Sequence, residues 1–315
     1  MPPRLASPAV FPPPLKEGGT IGIVSPARWP KREWIARGKA LLEQHGYEVV
    51  VHAQNYLKEG QLAGSDAARA EAIMDMFADR TIDAIMCARG GTGSLRLLDK
   101  LDYKAIKRNP KPLVGFSDIT LLLHALHRRC GFVTFHGPLL WNFAESDDPR
   151  SAKVLFAILS GEGTRSLRIS KIDCVRHGHA EGVLTGGNIS HLEHLMGTSY
   201  DWSTRDGILF IEDVDEPIYK IDEKLRHMRL AGRFEGVRAV IVGEMIDISD
   251  GETGLNRKGE KPYGRSLREV FLENLPPDVP LCFDFPCGHG KYITTLPVGA
   301  SVRLALGKNG AELSF

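Results

Sequence analysis

The sequence predicts an α/β protein, with an N-terminal doubly wound parallel-sheet domain followed by a second, smaller, mixed α/β (β-rich) C-terminal domain. Short runs of continuous apolar character alternate with amphipathic helical stretches through the first half, the pattern of strands buried on both faces. Beyond about residue 180 that alternation gives way to a strand-rich pattern. The length, 315 residues, suits two domains of ordinary size, each with its own core.

In chain order, TIGIVSPA reads as a strand, Lys31 to His45 as an amphipathic helix, YEVVVHA as a strand, Ala67 to Ala78 as a helix and DAIMCARGG as a strand. A helix near Leu95 to Leu101 follows, then a buried strand from Pro112 to Phe116. The next segment has a helical apolar face made by Leu121, Leu122, Leu123, Ala125 and Leu126, and FVTFHGPLL closes the half. In such sheets the ligand site lies beyond the carboxyl ends of the strands, so the turns after IVSPA, CARGG and VGFSD are expected at one edge. From about Asp147 to Ala180 the pattern weakens to a helix, VLFAILSG, and an extended run, SLRISKID, read as a connection. The second half continues through GVLTGGNISHLEHLMGT, ILFIEDVD, a helix from Ile218 to Leu230, VRAVIVGEM, a helix near Leu267 to Leu275, LCFDFP and the terminal pair ASVRLAL and AELSF. The expected boundaries are 1–148 for the N-terminal domain, 149–179 for the connection and 180–315 for the C-terminal domain. The proline-rich opening, MPPRLASPAVFPPPLKEGG, reads as a poorly ordered lead-in.

Composition narrows the function classes. With 40 basic and 39 acidic residues there is no field for a polyanion, so nucleic acid is not an expected partner. The opening has no secretory apolar core, and no stretch approaches the roughly 20 apolar residues of a membrane span. Five cysteines is an odd count for a disulfide framework. The expectation is a cytoplasmic enzyme with no membrane partner and no cofactor.

Ser117 lies where a buried strand gives way to a helix, a turn that lifts a side-chain oxygen clear of the sheet and aims free N–H groups at a forming anion. That setting suits acyl transfer. Ser followed by Asp at a helix start is also an ordinary N-cap, and the local sequence, G-x-S-x-I, is not the hydrolase elbow G-x-S-x-G. A serine nucleophile needs a general base and an acceptor that fixes its tautomer. His289 stands between Gly288 and Gly290 just after the strand LCFDF, where an imidazole can reach into a cleft, although a solvated loop histidine reads the same way. Glu212 follows four apolar residues at the end of a buried strand, where a carboxylate is costly unless paired; Asp213 and Asp215 are rivals for that role.

Arg89, Gly90, Gly91 and Gly93 follow another buried strand and place backbone N–H groups near an oxyanion or phosphate, or make a plain tight turn. Gly186, Gly187, Asn188 and Ser190 at a loop-to-helix junction read as a ligand loop or a capped helix. Metal chemistry has two weak candidates, Cys174 with His177 and His179, and Cys282 with Cys287 and His289. Neither has paired zinc spacing.

Taken together, IGIVSPA, ARGGTGSLRLLDKLDY, VGFSDITLLL, FHGP, LTGGNISHLEHLMGT, ILFIEDVDEPIYKIDEKL and CGHGKYITTLPVGA resemble the LD-carboxypeptidase family of serine peptidases, which includes the microcin-C immunity peptidases. The order and spacing match over almost the whole chain. The resemblance implies a Ser-His-Glu triad with Ser117 as nucleophile, His289 as general base and Glu212 orienting it across a domain interface. It implies backbone oxyanion donors at Asp118 and Gly91. Thr92 departs from the aromatic residue that many relatives carry in RGGYG, which bears on the pocket's shape.

The implied activity is release of a terminal D-alanine from murein tetrapeptides, by cleavage after the L-centre of a diamino acid, during cytoplasmic cell-wall recycling. Arg89 is then a candidate for the substrate's terminal carboxylate. The implied partner is a small peptide substrate, and a homodimer. The alternatives are an immunity-type peptidase or amidase acting on peptidyl or aminoacyl nucleotides and, from another class, a non-catalytic peptide- or nucleotide-binding protein.

Overall fold

A computed structural model describes residues 9–146, 148–161, 166–249 and 263–315. The first half runs β1 (Thr20–Val24), α1 (Arg32–Gln44), β2 (Glu48–Val51), α2 (Asp66–Ala78), β3 (Ala84–Cys87), α3 (Tyr103–Arg108), β4 (Leu113–Gly115), α4 (Thr120–Cys130), β5 (Thr134–His136), α5 (Leu140–Glu145) and α6 (Pro149–Leu159). Strands β3, β4 and β5 are buried along their whole length, which is why their sequences are continuous rather than alternating. Ser65 Oγ accepts from the Ala68 N–H to start α2, and Gly131, at φ 81°, ends α4.

The second half adds β6 (Ser166–Ile169), β7 (Asp173–Arg176), β8 (Gly178–Asn188), α7 (Ile189–Leu195), β9 (Gly207–Val214), α8 (Ile218–Leu230), β10 (Ala239–Ile246), α9 (Leu267–Asn274), β11 (Leu281–Phe285), β12 (Leu296–Val298), β13 (Ser301–Gly307) and β14 (Gly310–Ser314). Two sheets result. The first has six strands in the order β12-β5-β4-β3-β1-β2, of which β1 to β5 are mutually parallel. The second has eight, in the order β6-β14-β13-β8-β9-β10-β11-β7, with β8 to β11 parallel at its centre and antiparallel strands on both sides. The buried apolar side chains of both sheets form one continuous cluster.

Four features depart from the sequence reading. The helix expected near Leu95 to Leu101 is a single 3-10 turn, Ser94–Leu97. The stretch 149–179, expected as a connection, supplies α6 and both outer strands of the second sheet, β6 and β7. The lead-in is tied down from Ala9 onward: the Ala9 N–H donates to Gly299 O at 3.1 Å, Val10 bridges to Phe132, and Leu15 is fully buried. Residues 1–8 of that lead-in lie outside the described residues. The chain also returns from the second half to the first sheet, where β12 pairs antiparallel with β5 through Leu296 and His136.

The two halves meet closely where β8 ends. Gly187 has φ 141°, and a Cβ there would come within 2.6 Å of Thr120 Cγ2, on the first residue of α4. The neighbouring Asn188 N–H donates to Thr120 Oγ1 at 3.3 Å. Only glycine satisfies both the dihedral and the spacing. Gly187→Ala is expected to lower stability by about 2–4 kcal/mol, from dihedral strain plus displacement of Thr120. Urea denaturation checks this, and an unchanged midpoint would show that the junction is not tightly docked.

Candidate active site

Ser117 lies one residue beyond β4, after Phe116, and opens a 3-10 turn, Ser117–Ile119, that leads into α4. Its φ is 62°, in the left-handed region that non-glycine residues rarely occupy. The ordinary cap does not form: the residue before the turn is Phe116, and no side chain caps it. The Asp118 carboxylate, 2% exposed, turns back to accept from the Ser94 N–H at 2.9 Å, tying this turn to the glycine-rich stretch after β3. Among the described residues, neither the Gly91 nor the Asp118 N–H donates to a backbone carbonyl.

Glu212 lies near the carboxyl end of β9 and is fully buried, and His289 lies in the loop after β11, with its side chain 15% exposed. His289 Nδ1 is 2.8 Å from Glu212 Oε2, so Nδ1 carries the proton toward the carboxylate and Nε2 is left for another partner. Burial pushes the Glu212 carboxyl up, against the pull of the His289 charge and hydrogen bond. For His289, burial alone would lower the imidazole, but the Glu212 charge and hydrogen bond, helped by Asp213 and Glu244, outweigh it and leave it raised. The rivals for Glu212's role are engaged or placed elsewhere. Asp213 accepts from Asn188 Nδ2 at 2.9 Å and Ser190 Oγ at 2.7 Å, and Asp215 lies in the turn beyond β9 with φ 57°.

Ser117 and His289 line one cleft of about 510 Å³, together with Arg89, Gly90, Gly91, Asn188 and Ser190. The buried Phe116 ring packs against both histidines, with its centroid 4.7 Å from that of His289 and 5.7 Å from that of His136. Among the described residues, Ser117 Oγ closes no hydrogen bond onto His289. The cap reading of the second glycine stretch holds as well, because Asn188 Oδ1 accepts from the His191 N–H at the start of α7. Arg89 Nη1 donates to Trp29 O at 2.9 Å, and its guanidinium lies over the Trp34 ring at 5.2 Å.

Residues 21–137 match the model of the LD-carboxypeptidase N-terminal domain, and residues 181–304 match that of the C-terminal domain. A protein of Bacillus subtilis named "Probable murein peptide carboxypeptidase" is 33% identical over 296 residues, covering 92% of this chain and 90% of that protein. The chain belongs to the LD-carboxypeptidase family. It is therefore a serine-type hydrolase, a peptidase by family. The murein tetrapeptide carboxypeptidase of Pseudomonas aeruginosa is 30% identical, with 91% of this chain and 93% of that protein aligned. A solved structure of a microcin C7 self-immunity protein variant with adenosine monophosphate has a TM-score of 0.85 at 27% identity, covering 97% of this chain and 98% of that one.

In this member of the LD-carboxypeptidase family, Thr92 is exposed and does not line the cleft. Among the described residues no three His, Cys, Asp or Glu side chains are placed to hold a metal, so neither of the two weak candidate groups is assembled. Among the described residues no helix is long and apolar enough to cross a membrane.

Among the cleft and loop residues that escaped the sequence reading are Arg28, His136 and Glu244, beside cleft-lining Trp34, Trp141, His191 and His194. Arg28 lines the cleft from the turn after β1, and its only signal was its place beyond a strand's carboxyl end. His136 is fully buried, and its Nε2 lies 2.7 Å from Cys287 O, bracing the His289 loop. Glu244, at the end of the apolar run of β10, accepts from the Gly288 N–H at 3.3 Å and carries the same signal that singled out Glu212.

The raised His289 fixes the sign of a pH dependence. If neutral His289 is the working form, kcat/KM falls as pH drops through its raised value, so the acid limb lies above the ordinary histidine value of about 6.5. Glu212→Gln removes the charge that raises it. That variant is expected to move the acid limb downward and to lower kcat by up to about 10⁴-fold, the scale known for loss of a triad carboxylate. A pH–rate profile checks both, and an unmoved limb would contradict the coupling.

Proposed function

We propose that this chain is a serine carboxypeptidase that hydrolyses the bond between the L-centre of a diamino acid and a terminal D-alanine in murein tetrapeptides, in the cytoplasm during cell-wall recycling. The observation that carries the reading is the buried Glu212–His289 hydrogen bond, which opens onto the same cleft as a serine held at φ 62°. The names of the Bacillus subtilis and Pseudomonas aeruginosa relatives support the substrate class.

In this mechanism Ser117 Oγ attacks the scissile carbonyl carbon as its proton passes to His289 Nε2. Glu212 stabilises the imidazolium through Nδ1, and the N–H groups of Gly91 and Asp118 hold the oxyanion. His289 then returns the proton to the departing amine, the C–N bond breaks, and an acyl ester remains on Ser117. A water, deprotonated by His289, attacks that ester and releases the shortened peptide and free serine. Arg89 is placed in the cleft for the carboxylate that marks the chain end.

A second reading, cleavage of an aminoacyl or peptidyl nucleotide, draws on the structural neighbour with bound adenosine monophosphate and on the Trp34–Trp141 pair, whose rings lie 6.0 Å apart in this cleft. Turnover of a murein tetrapeptide against that of an aminoacyl-sulfamoyl adenylate separates the two. Ser117→Ala is expected to reduce kcat on the tetrapeptide by about 10⁴- to 10⁶-fold without lowering the melting temperature. Tetrapeptide hydrolysis retained in that variant would overturn the assignment of the nucleophile.

A further inference from the structure

The strands of the first sheet run β2-β1-β3-β4-β5, so the strand order reverses between β1 and β3. In open α/β sheets the crevice beyond the carboxyl ends at such a reversal is where ligands bind. Two arginines stand there, Arg28 in the turn after β1 and Arg89 in the turn after β3, and both line the cleft that holds Ser117.

The environment of Arg28 is built. Its backbone bridges to Leu62, and its side chain runs across Gly91, where a Cβ would stand 2.6 Å from Arg28 Cδ. Gly91 has φ 113°, so both its conformation and its missing side chain let the guanidinium lie in the cleft. Arg28 Nε is buried and has no hydrogen-bond partner among the described residues. A buried cationic donor in that state is costly until an acceptor arrives.

Arg89 is oriented by neutral groups alone, the Trp29 carbonyl and the Trp34 ring. Burial, and then the Arg28 charge, pull its guanidinium below the ordinary value, as expected for two like charges that share a site. Among the described residues neither arginine forms an ion pair. By contrast Lys224 is matched to Glu216 at 2.8 Å. The carboxylates of the cleft, Asp213, Asp215 and Glu216, come from β9 and the turn after it, in the other sheet. The first-sheet wall is therefore cationic and unmatched.

We propose that Arg28 and Arg89 together form a carboxylate subsite that grips the free C-terminus of the substrate, which makes the enzyme an exopeptidase by charge recognition. Arginine suits the role because its planar fork pairs with both oxygens of a carboxylate. The inference rests on the peptide reading above and adds Arg28 as a specificity-determining residue.

The test separates binding from turnover. In the Ser117→Ala protein, calorimetry compares a murein tetrapeptide bearing a free terminal carboxylate with the same peptide as a C-terminal amide. The acid is expected to bind about 10- to 100-fold tighter, the range for a charge-assisted hydrogen-bonded pair. Adding Arg28→Gln is expected to remove most of that preference, and Arg28→Lys to restore part of it. Should Arg28→Gln fail to fold, Arg28→Lys, which keeps the charge and loses the fork, carries the test with a several-fold loss. Equal affinities for acid and amide, no binding of the acid, or a full preference retained in both Arg28 variants would overturn the subsite. A wild-type enzyme that binds the acid with this preference yet does not cleave it would overturn the carboxypeptidase reading and leave the subsite standing.

Discussion

One strained residue stands at the centre of the cleft, and the elements around it hold it in place. Ser117 sits at φ 62°, a conformation that costs a non-glycine residue about 1–2 kcal/mol and persists only where its surroundings over-determine it. Those surroundings come from three directions. Phe116 is buried between the rings of His136 and His289, the Asp118 carboxylate holds the Ser94 N–H, and the Ile119 N–H closes the turn onto Phe116 O at 3.2 Å. Relaxing the turn would disturb the proposed oxyanion donor at Asp118, the Ser117 hydroxyl and the ring contact with the proposed base together.

The proposed base, His289, shares the cleft with Ser117 but is carried by the other half of the chain, so its position is a matter of tertiary docking. His289 lies in the loop between β11, in the second sheet, and β12, in the first, so the loop is anchored in both. Glu244 and His136 hold that loop by its backbone, through Gly288 N and Cys287 O. Glu212 is fully buried and would be costly as an isolated carboxylate; the hydrogen bond from His289 offsets part of that cost and fixes the tautomer, while burial still leaves the carboxyl raised. The charge of each group acts on the other, pulling Glu212 down and His289 up.

Much of this was legible in the sequence because it depends on local pattern. The strand-turn-helix around Ser117, the helix Ile218–Leu230, and Glu212 at the end of an apolar run all follow from periodicity and from the cost of burying charge. What escaped was non-local. Strand β12 is only Leu296–Val298, too short to carry a period, and its partner β5 lies about 160 residues earlier in the chain. Strands β6 and β7 are edge strands of mixed burial, and they read as a tether because half-exposed edges lack a continuous apolar run. Leu15 and Val10 are held by Leu159 and Gly131, contacts that no proline-rich composition announces. Arg28 belongs to no motif, and its lack of a partner is a property of the cleft.

The central claim is that Ser117 is made nucleophilic by a base and a carboxylate from the other half of the chain. Labelling the wild-type protein with a fluorophosphonate probe, then locating the adduct by peptide mass spectrometry, tests it most directly. The account predicts a single adduct, on Ser117, whose formation slows as pH falls through the raised titration of His289. No adduct, or an adduct on another residue, would contradict it.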